Sequence, residues 1–217
     1  MSKKTWKHGV YLINNFIMKI QNRGQLIRNH LDTDFFNLYM TQNKYAIEAW
    51  DFLLKKTMPD TIIEFGTARG GLTCLFGFWG IINNATVHTY NNNDEYIYVE
   101  EFKKLGIKNN IKDLLLQETR DEIVKIIKNN GKTLIFCDAL KPIEFAYFAP
   151  FLKSGDVITI HDYIENEEIF NKQVLGKLWD FHEVKYEDIK DTVEKNNLKP
   201  YLYKEMCNAV IGSFLKV

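Results

Sequence analysis

The chain has 217 residues, with 28 lysines and arginines against 28 aspartates and glutamates, so its formal net charge is zero with histidine neutral. That balance argues against a nucleic-acid backbone as the main partner, which calls for a basic excess or stripe. An apolar fraction of 46% and a charged fraction of 26% suit an ordinary globular domain, and no apolar run nears the roughly 20 residues that span a bilayer.

Cys74, Cys137 and Cys207 are scattered without a CxxC pair, which excludes the common zinc and dithiol patterns and suits a reducing compartment. Asn14, Asn15 and Lys19 interrupt the moderately apolar run over residues 10–20, and no small-residue cleavage site follows. No signal peptide is therefore expected, and a cytoplasmic location with no membrane contact is.

In chain order, residues 1–40 lack clear periodicity and are expected to form an N-terminal helical appendage of one or two helices. Its aromatic side chains allow packing against another subunit, which leaves a homo-oligomer open. Residues 41–56 carry Tyr45, Ala46, Ala49, Trp50, Phe52 and Leu53 at helical spacing, and Pro59 ends that helix. A β-rich run over 61–65 stops at a glycine turn, 66–71, and an apolar helix follows over 72–82. Residues 85–90 read as the next strand and 91–95 as a polar turn into a helix reaching about 105. A third strand is expected near 111–116, with the asparagine patch 108–110 as a turn before it. A helix over 119–129 places Ile123, Ile126 and Ile127 on one face. The run 132–137 reads as a buried strand ending at Asp138, and Pro142 opens the next helix, where its missing N–H does no harm. Residues 157–160 form a fifth strand ending at His161-Asp162-Tyr163. A polar helix, a weaker strand near 182–185, another helix and a terminal strand near 208–215 follow.

Strands alternating with helices predict a doubly wound, mostly parallel α/β sheet with helices on both faces. Ligands of such sheets sit beyond the carboxyl ends of the strands. That rule gathers residues 66–71, 91–94, Asp138 and His161-Asp162, all polar or glycine clusters placed directly after apolar runs.

The segment Glu64-Phe65-Gly66-Thr67-Ala68-Arg69-Gly70-Gly71 joins a strand-end acid to a glycine turn. Glycine permits a sharp turn and a close backbone approach, the N–H groups of the following helix favour a carboxylate or phosphate, and the acid suits an amino group or ribose hydroxyls. Ala68 replaces the middle glycine of the dinucleotide fingerprint. A plain strand-to-helix turn is the alternative. Asp138, His161 and Asp162 would meet at neighbouring strand ends. Two carboxylates and an imidazole can hold a divalent ion such as magnesium or manganese, which lowers the pKa of a bound hydroxyl, or can act directly as general base. Helix capping and turn bonding are the alternatives for the aspartates. Lys141 reads as an exposed lysine, with a contact to an acidic group of the substrate as the functional alternative. Trp50, Trp79 and Trp179 read as core residues and His88 as structural.

The E-x-G-x-x-x-G form resembles the first motif of class I S-adenosylmethionine-dependent methyltransferases. More narrowly, Pro59-Asp-Thr-Ile-Ile-Glu-Phe-Gly-Thr-Ala-Arg-Gly-Gly71, together with Phe136-Cys-Asp138 and the stretch from Gly155-Asp-Val-Ile to His161-Asp-Tyr163, is similar to the cephalosporin hydroxylase/rhamnosyl O-methyltransferase family. Met40-Thr-Gln-Asn43 loosely resembles its cofactor-flanking glutamine segment. The similarity covers roughly residues 40–165. It implies a methyltransferase domain over 41–217 with a Rossmann-like sheet and a reversed last strand. It also implies S-adenosylmethionine at Glu64, Gly66, Thr67, Ala68, Arg69, Gly70 and Asn91, a magnesium site at Asp138, His161 and Asp162, and a small-molecule or sugar hydroxyl as acceptor. Asn91 stands where many members have an acid, with Asp94 as a substitute, and His161 where some have a carboxylate. A catalytically degenerate ligand-binding module or a nucleotide-sugar enzyme are the competing readings.

Overall fold

The computed structural model describes residues 34–35, 38–40, 42–43, 45–93, 99–129 and 131–217. Strands β1 (Asp34–Phe35) and β2 (Leu38–Tyr39) pair antiparallel. The end of the expected helical appendage is thus β where it is described, and the helices expected further upstream lie outside the described residues, as does Asp94.

The body is a seven-stranded sheet in the order β10-β11-β7-β6-β3-β4-β5. Its strands are β3 (Thr61–Phe65), β4 (Thr86–Asn91), β5 (Lys108–Ile111), β6 (Thr133–Cys137), β7 (Val157–His161), β10 (Leu198–Pro200) and β11 (Ile211–Lys216). β3, β4, β5, β6 and β7 pair parallel. β11 runs antiparallel to both β7 and β10, so it alone is reversed, and it is inserted between its neighbours. This is the doubly wound, Rossmann-like methyltransferase sheet with a reversed last strand. Chain direction across the sheet switches between β3 and β6: β4 and β5 extend to one side, β6 and β7 to the other.

Alternation along the strands builds two cores. Ile62, Leu134, Phe136 and Val157 face α1 (Ala46–Thr57) and α2 (Gly71–Asn83). Ile63, Ile135, Cys137 and Ile158 face α4 (Gln117–Asn129), α5 (Lys141–Phe148) and α7 (Tyr186–Lys195). All residues of β3, β6 and β7 are buried, as parallel strands covered on both faces require. The remaining helices are α3 (Val99–Lys104), α6 (Glu167–Ile169), which continues as a π-turn over Phe170–Val174, and α8 (Tyr203–Cys207). β8 (Tyr163–Ile164) and β9 (Val184–Lys185) form a small parallel pair beside the sheet.

The third strand departs from expectation. It lies at Lys108–Ile111, on the asparagine patch read as a turn, while Ile111, Leu115 and Leu116 are exposed. Among the described residues β5 is the sheet edge and pairs only with β4, so backbone bonding to one neighbour holds it and an apolar run is not needed. The opposite edge, β10, was not expected at all; its Lys-Pro sequence is tolerated there because one side of the strand has no partner among the described residues. Among the described residues, no helix is long and apolar enough to cross a membrane.

Candidate active site

Two strand-end clusters line one open cleft of about 210 Å³. The first grows from β3. Glu64 stands opposite Thr89 in register and is 1% exposed. The hydroxyls of Thr73 and Thr89 donate to its Oε2 at 2.6 and 2.7 Å. Because Thr89 donates to Glu64, the 2.7 Å contact between Thr67 and Thr89 is donated by Thr67. Burial pushes the Glu64 carboxyl up to about 7, against the lowering effect of the two threonines.

After Phe65 the chain turns at Gly66, with φ +96°. A Cβ there would lie 2.8 Å from the carbonyl oxygen of Asp138, so glycine is required both by conformation and by the close pass of the two strand ends. Gly70, also left-handed, precedes α2 without a side-chain cap, leaving first-turn N–H groups to a ligand or water. Gln42, 3% exposed, reaches the same cleft, and its Oε1 is buried without a hydrogen-bond partner among the described residues.

The second cluster grows from β6 and β7. Asp138 follows β6, and its N–H donates to Phe65 O at 2.9 Å. His161 ends β7 with Nδ1 3.0 Å from Asp138 Oδ1 and 3.4 Å from Asp162 Oδ2. Asp162 adopts φ 51°, a conformation aspartate tolerates better than most side chains, and its carbonyl receives the Glu183 and Val184 N–H groups at 3.0 and 3.1 Å. Trp179 Nε1 donates to Asp162 Oδ1 at 2.8 Å. Burial works against the His161 charge, yet the Asp138 carboxylate and its hydrogen bond raise the imidazole to about 10. Burial likewise opposes the Asp162 charge, but His161 and then Lys141 hold its carboxyl down at about 2.

Lys141, the first residue of α5, is 6% exposed. Its Nζ lies 2.8 Å from Asp162 Oδ2, 2.8 Å from Glu183 Oε2 and 3.5 Å from Asp138 Oδ1. The expectation of an exposed lysine is thus corrected: the first turn of α5 folds back over the ends of β6 and β7 and brings the ammonium to the acids. Helical i, i+3 spacing gave no signal of this pairing, because Asp138 lies before α5 begins. Trp179 is buried, as a core residue would be, but it also forms cleft wall with Phe181. Trp50 and Trp79 are core, and His88 is buried in β4, where desolvation lowers its imidazole to about 4.

The structure therefore brings Glu64, Gly66, Thr67, Ala68, Arg69, Gly70, Asp138, His161 and Asp162 to one cleft. It does not bring Asn91 there: the Asn91 amide donates to Asn93 O at 2.9 Å, and among the described residues it is not on the cleft wall. Asp138, His161 and Asp162 each offer an atom within 4.8 Å of the others. Thr73, Thr89, Lys141, Glu183 and Trp179 complete the site beyond what sequence motifs indicated.

No protein-family model matches the sequence, and no curated protein matches it. Solved structures do share its fold. An apo form of CmcI-N160 is 15% identical over 92% of this chain and 83% of its own, with a TM-score of 0.64. A magnesium- and SAM-bound cmcI-D160 is 14% identical over 91% and 84%, with a TM-score of 0.60. An SAH-bound cmcI-N160 is 13% identical over 92% and 91%, with a TM-score of 0.59. What the chain has in common with these proteins is the Rossmann-like methyltransferase fold, and its cleft opens where that sheet changes direction.

Proposed function

We propose that this chain binds S-adenosylmethionine in the cleft and transfers its methyl group to a hydroxyl of a small molecule or sugar. The observation that carries the reading is the pairing of the Gly66 turn with buried acceptors at the switch point of the sheet. Glu64 and the unpartnered Gln42 Oε1 suit a ligand rich in ammonium and hydroxyl donors, and the uncapped start of α2 suits its carboxylate. The SAM and SAH forms of the similar CmcI fold support the same assignment. A dinucleotide is disfavoured by Ala68 at the middle glycine position.

Bound S-adenosylmethionine supplies a methyl group on a sulfonium. The chain supplies position and dryness. Residues 66–70 cradle the cofactor with backbone, and Thr67 and Thr89 keep Glu64 aimed by hydrogen bonds. Phe181, backed by the buried Trp179, offers an exposed aromatic face on which a sugar or an apolar acceptor can lie. Asp138, with its side chain 17% exposed, is the most accessible member of its cluster and accepts the proton of the acceptor hydroxyl. His161, 5% exposed, holds that carboxylate in place, and Asp162, 4% exposed, pairs with His161 and Lys141.

Calorimetric titration with S-adenosylmethionine and S-adenosylhomocysteine tests the cofactor. Both should bind with one site per chain, and no heat at millimolar ligand would sink the proposal. Once an acceptor is found, Asp138→Ala and Asp162→Ala should lose turnover; full turnover in both would refute the assigned roles.

A further inference from the structure

Lys141 occupies the position that decides whether the acid cluster can take a metal. We infer that its ammonium supplies, from within the chain, the positive charge a divalent ion would otherwise bring, so that Asp138, His161 and Asp162 work without magnesium.

Three observations carry this. Nζ of Lys141 lies against both aspartates and the half-exposed Glu183, at 2.8 to 3.5 Å, and is buried with Asp162, so a second cation bound by the two aspartates would sit directly beside it. Both oxygens of Asp162 are engaged, Oδ1 by Trp179 and Oδ2 by Lys141. The His161 atom that faces the carboxylates is Nδ1 at 3.0 Å from Asp138; donating a proton there removes the lone pair a metal needs. Magnesium also prefers an all-oxygen shell and near-octahedral geometry, whereas this set offers one imidazole and two carboxylates already bonded to donors. Metal-ligand spacing alone, within 4.8 Å, is met equally by an internal ion cluster, and here the cation of that cluster is on the chain.

The chemical consequence belongs to the proposed reaction and rests on that reading. The ammonium and imidazole offset the charges of Asp138 and Asp162, and the acceptor proton passes to a carboxylate of the cluster with no metal-bound hydroxyl. Lys141 acts through the aspartates and is a positioning residue.

Manganese binding to the purified protein, followed by paramagnetic resonance, tests the inference without cofactor or turnover, so its failure is distinct from a failure to bind S-adenosylmethionine. Wild type should show no stoichiometric site, and magnesium should leave its melting temperature unchanged. Lys141→Met and Lys141→Ala should create one site, on the order of a hundredfold tighter than any wild-type binding once the adjacent like charge is gone, and a further Asp138→Asn change should abolish it. A wild-type manganese site that Asp138→Asn removes would overturn the inference. So would a folded Lys141→Met protein as indifferent to manganese as wild type. Should both lysine variants fail to fold, the wild-type titration with its Asp138→Asn control still decides: an Asp138-dependent site overturns the inference, and its absence upholds it.

Discussion

The two halves of the cleft are built on opposite principles. On the β3 side polar groups are left for something else: Gln42 Oε1 has no partner among the described residues, α2 starts without a side-chain cap, and burial raises the Glu64 carboxyl to about 7. On the β6–β7 side three carboxylates, an ammonium, an imidazole and an indole N–H satisfy one another within a few ångströms. Both halves sit at strand ends and both contain aspartate or glutamate, so residue type does not separate them. The difference lies in whether the chain supplies the counter-charge. Glu64 meets hydroxyls and is poised for a ligand, whereas Asp162 meets an ammonium and an imidazole and is pre-charged.

Removing a residue should therefore cost binding on one side and stability on the other. The largest effect is expected for Asp162→Ala, which strips Lys141, His161 and Trp179 of a buried partner. It should lower unfolding free energy by about 3–5 kcal/mol; a denaturation midpoint equal to wild type would show that the cluster is not held together by its charges. Gly66→Ala forces a side chain into φ +96° and against the Asp138 carbonyl. A loss of about 2–3 kcal/mol is expected, together with loss of S-adenosylmethionine binding, because the clash moves the strand end shared by both halves.

A smaller effect sharpens the contrast through pH. Glu64 is half protonated near 7 in the ligand-free site, and a cationic ammonium beside it favours the ionised form. Cofactor affinity should rise by about tenfold from pH 6 to pH 8 as that proton no longer has to be displaced. Glu64→Gln should flatten the dependence, and a pH-independent affinity in wild type would place the ligand's positive group elsewhere. In stability the sign runs the other way: a carboxyl raised above its unfolded value of 4.5 contributes most below that pH, and its contribution fades as pH rises through about 7. The smallest effect belongs to Asn91→Ala. Its amide is bonded to Asn93 and is not on the cleft wall, so cofactor affinity should change by no more than about twofold; a larger loss by calorimetry would return Asn91 to the site.

Much of this molecule was legible along the chain. The run Thr61–Phe65, the glycine turn after it, and the strand ends at Asp138 and His161 fall where apolar runs and their abrupt polar stops put them, because strands buried on both faces must be continuously apolar. That periodicity is local, and it fixed the alternation of elements, the parallel sheet and the rim on which a site must lie. The edges were misread for the same reason: β5 at Lys108–Ile111 and β10 at Leu198–Pro200 are held by backbone bonds to one neighbour and carry no apolar signature. Charge pairing was outside its reach. Whether Lys141 faces solvent or three carboxylates depends on how α5 lies over β6 and β7, and on Glu183 arriving from 42 residues away. Periodicity and motif determined which residues stand at the rim; tertiary structure decided which charges meet there, because electrostatic partnership is set by distance and burial in space, not by order along the chain.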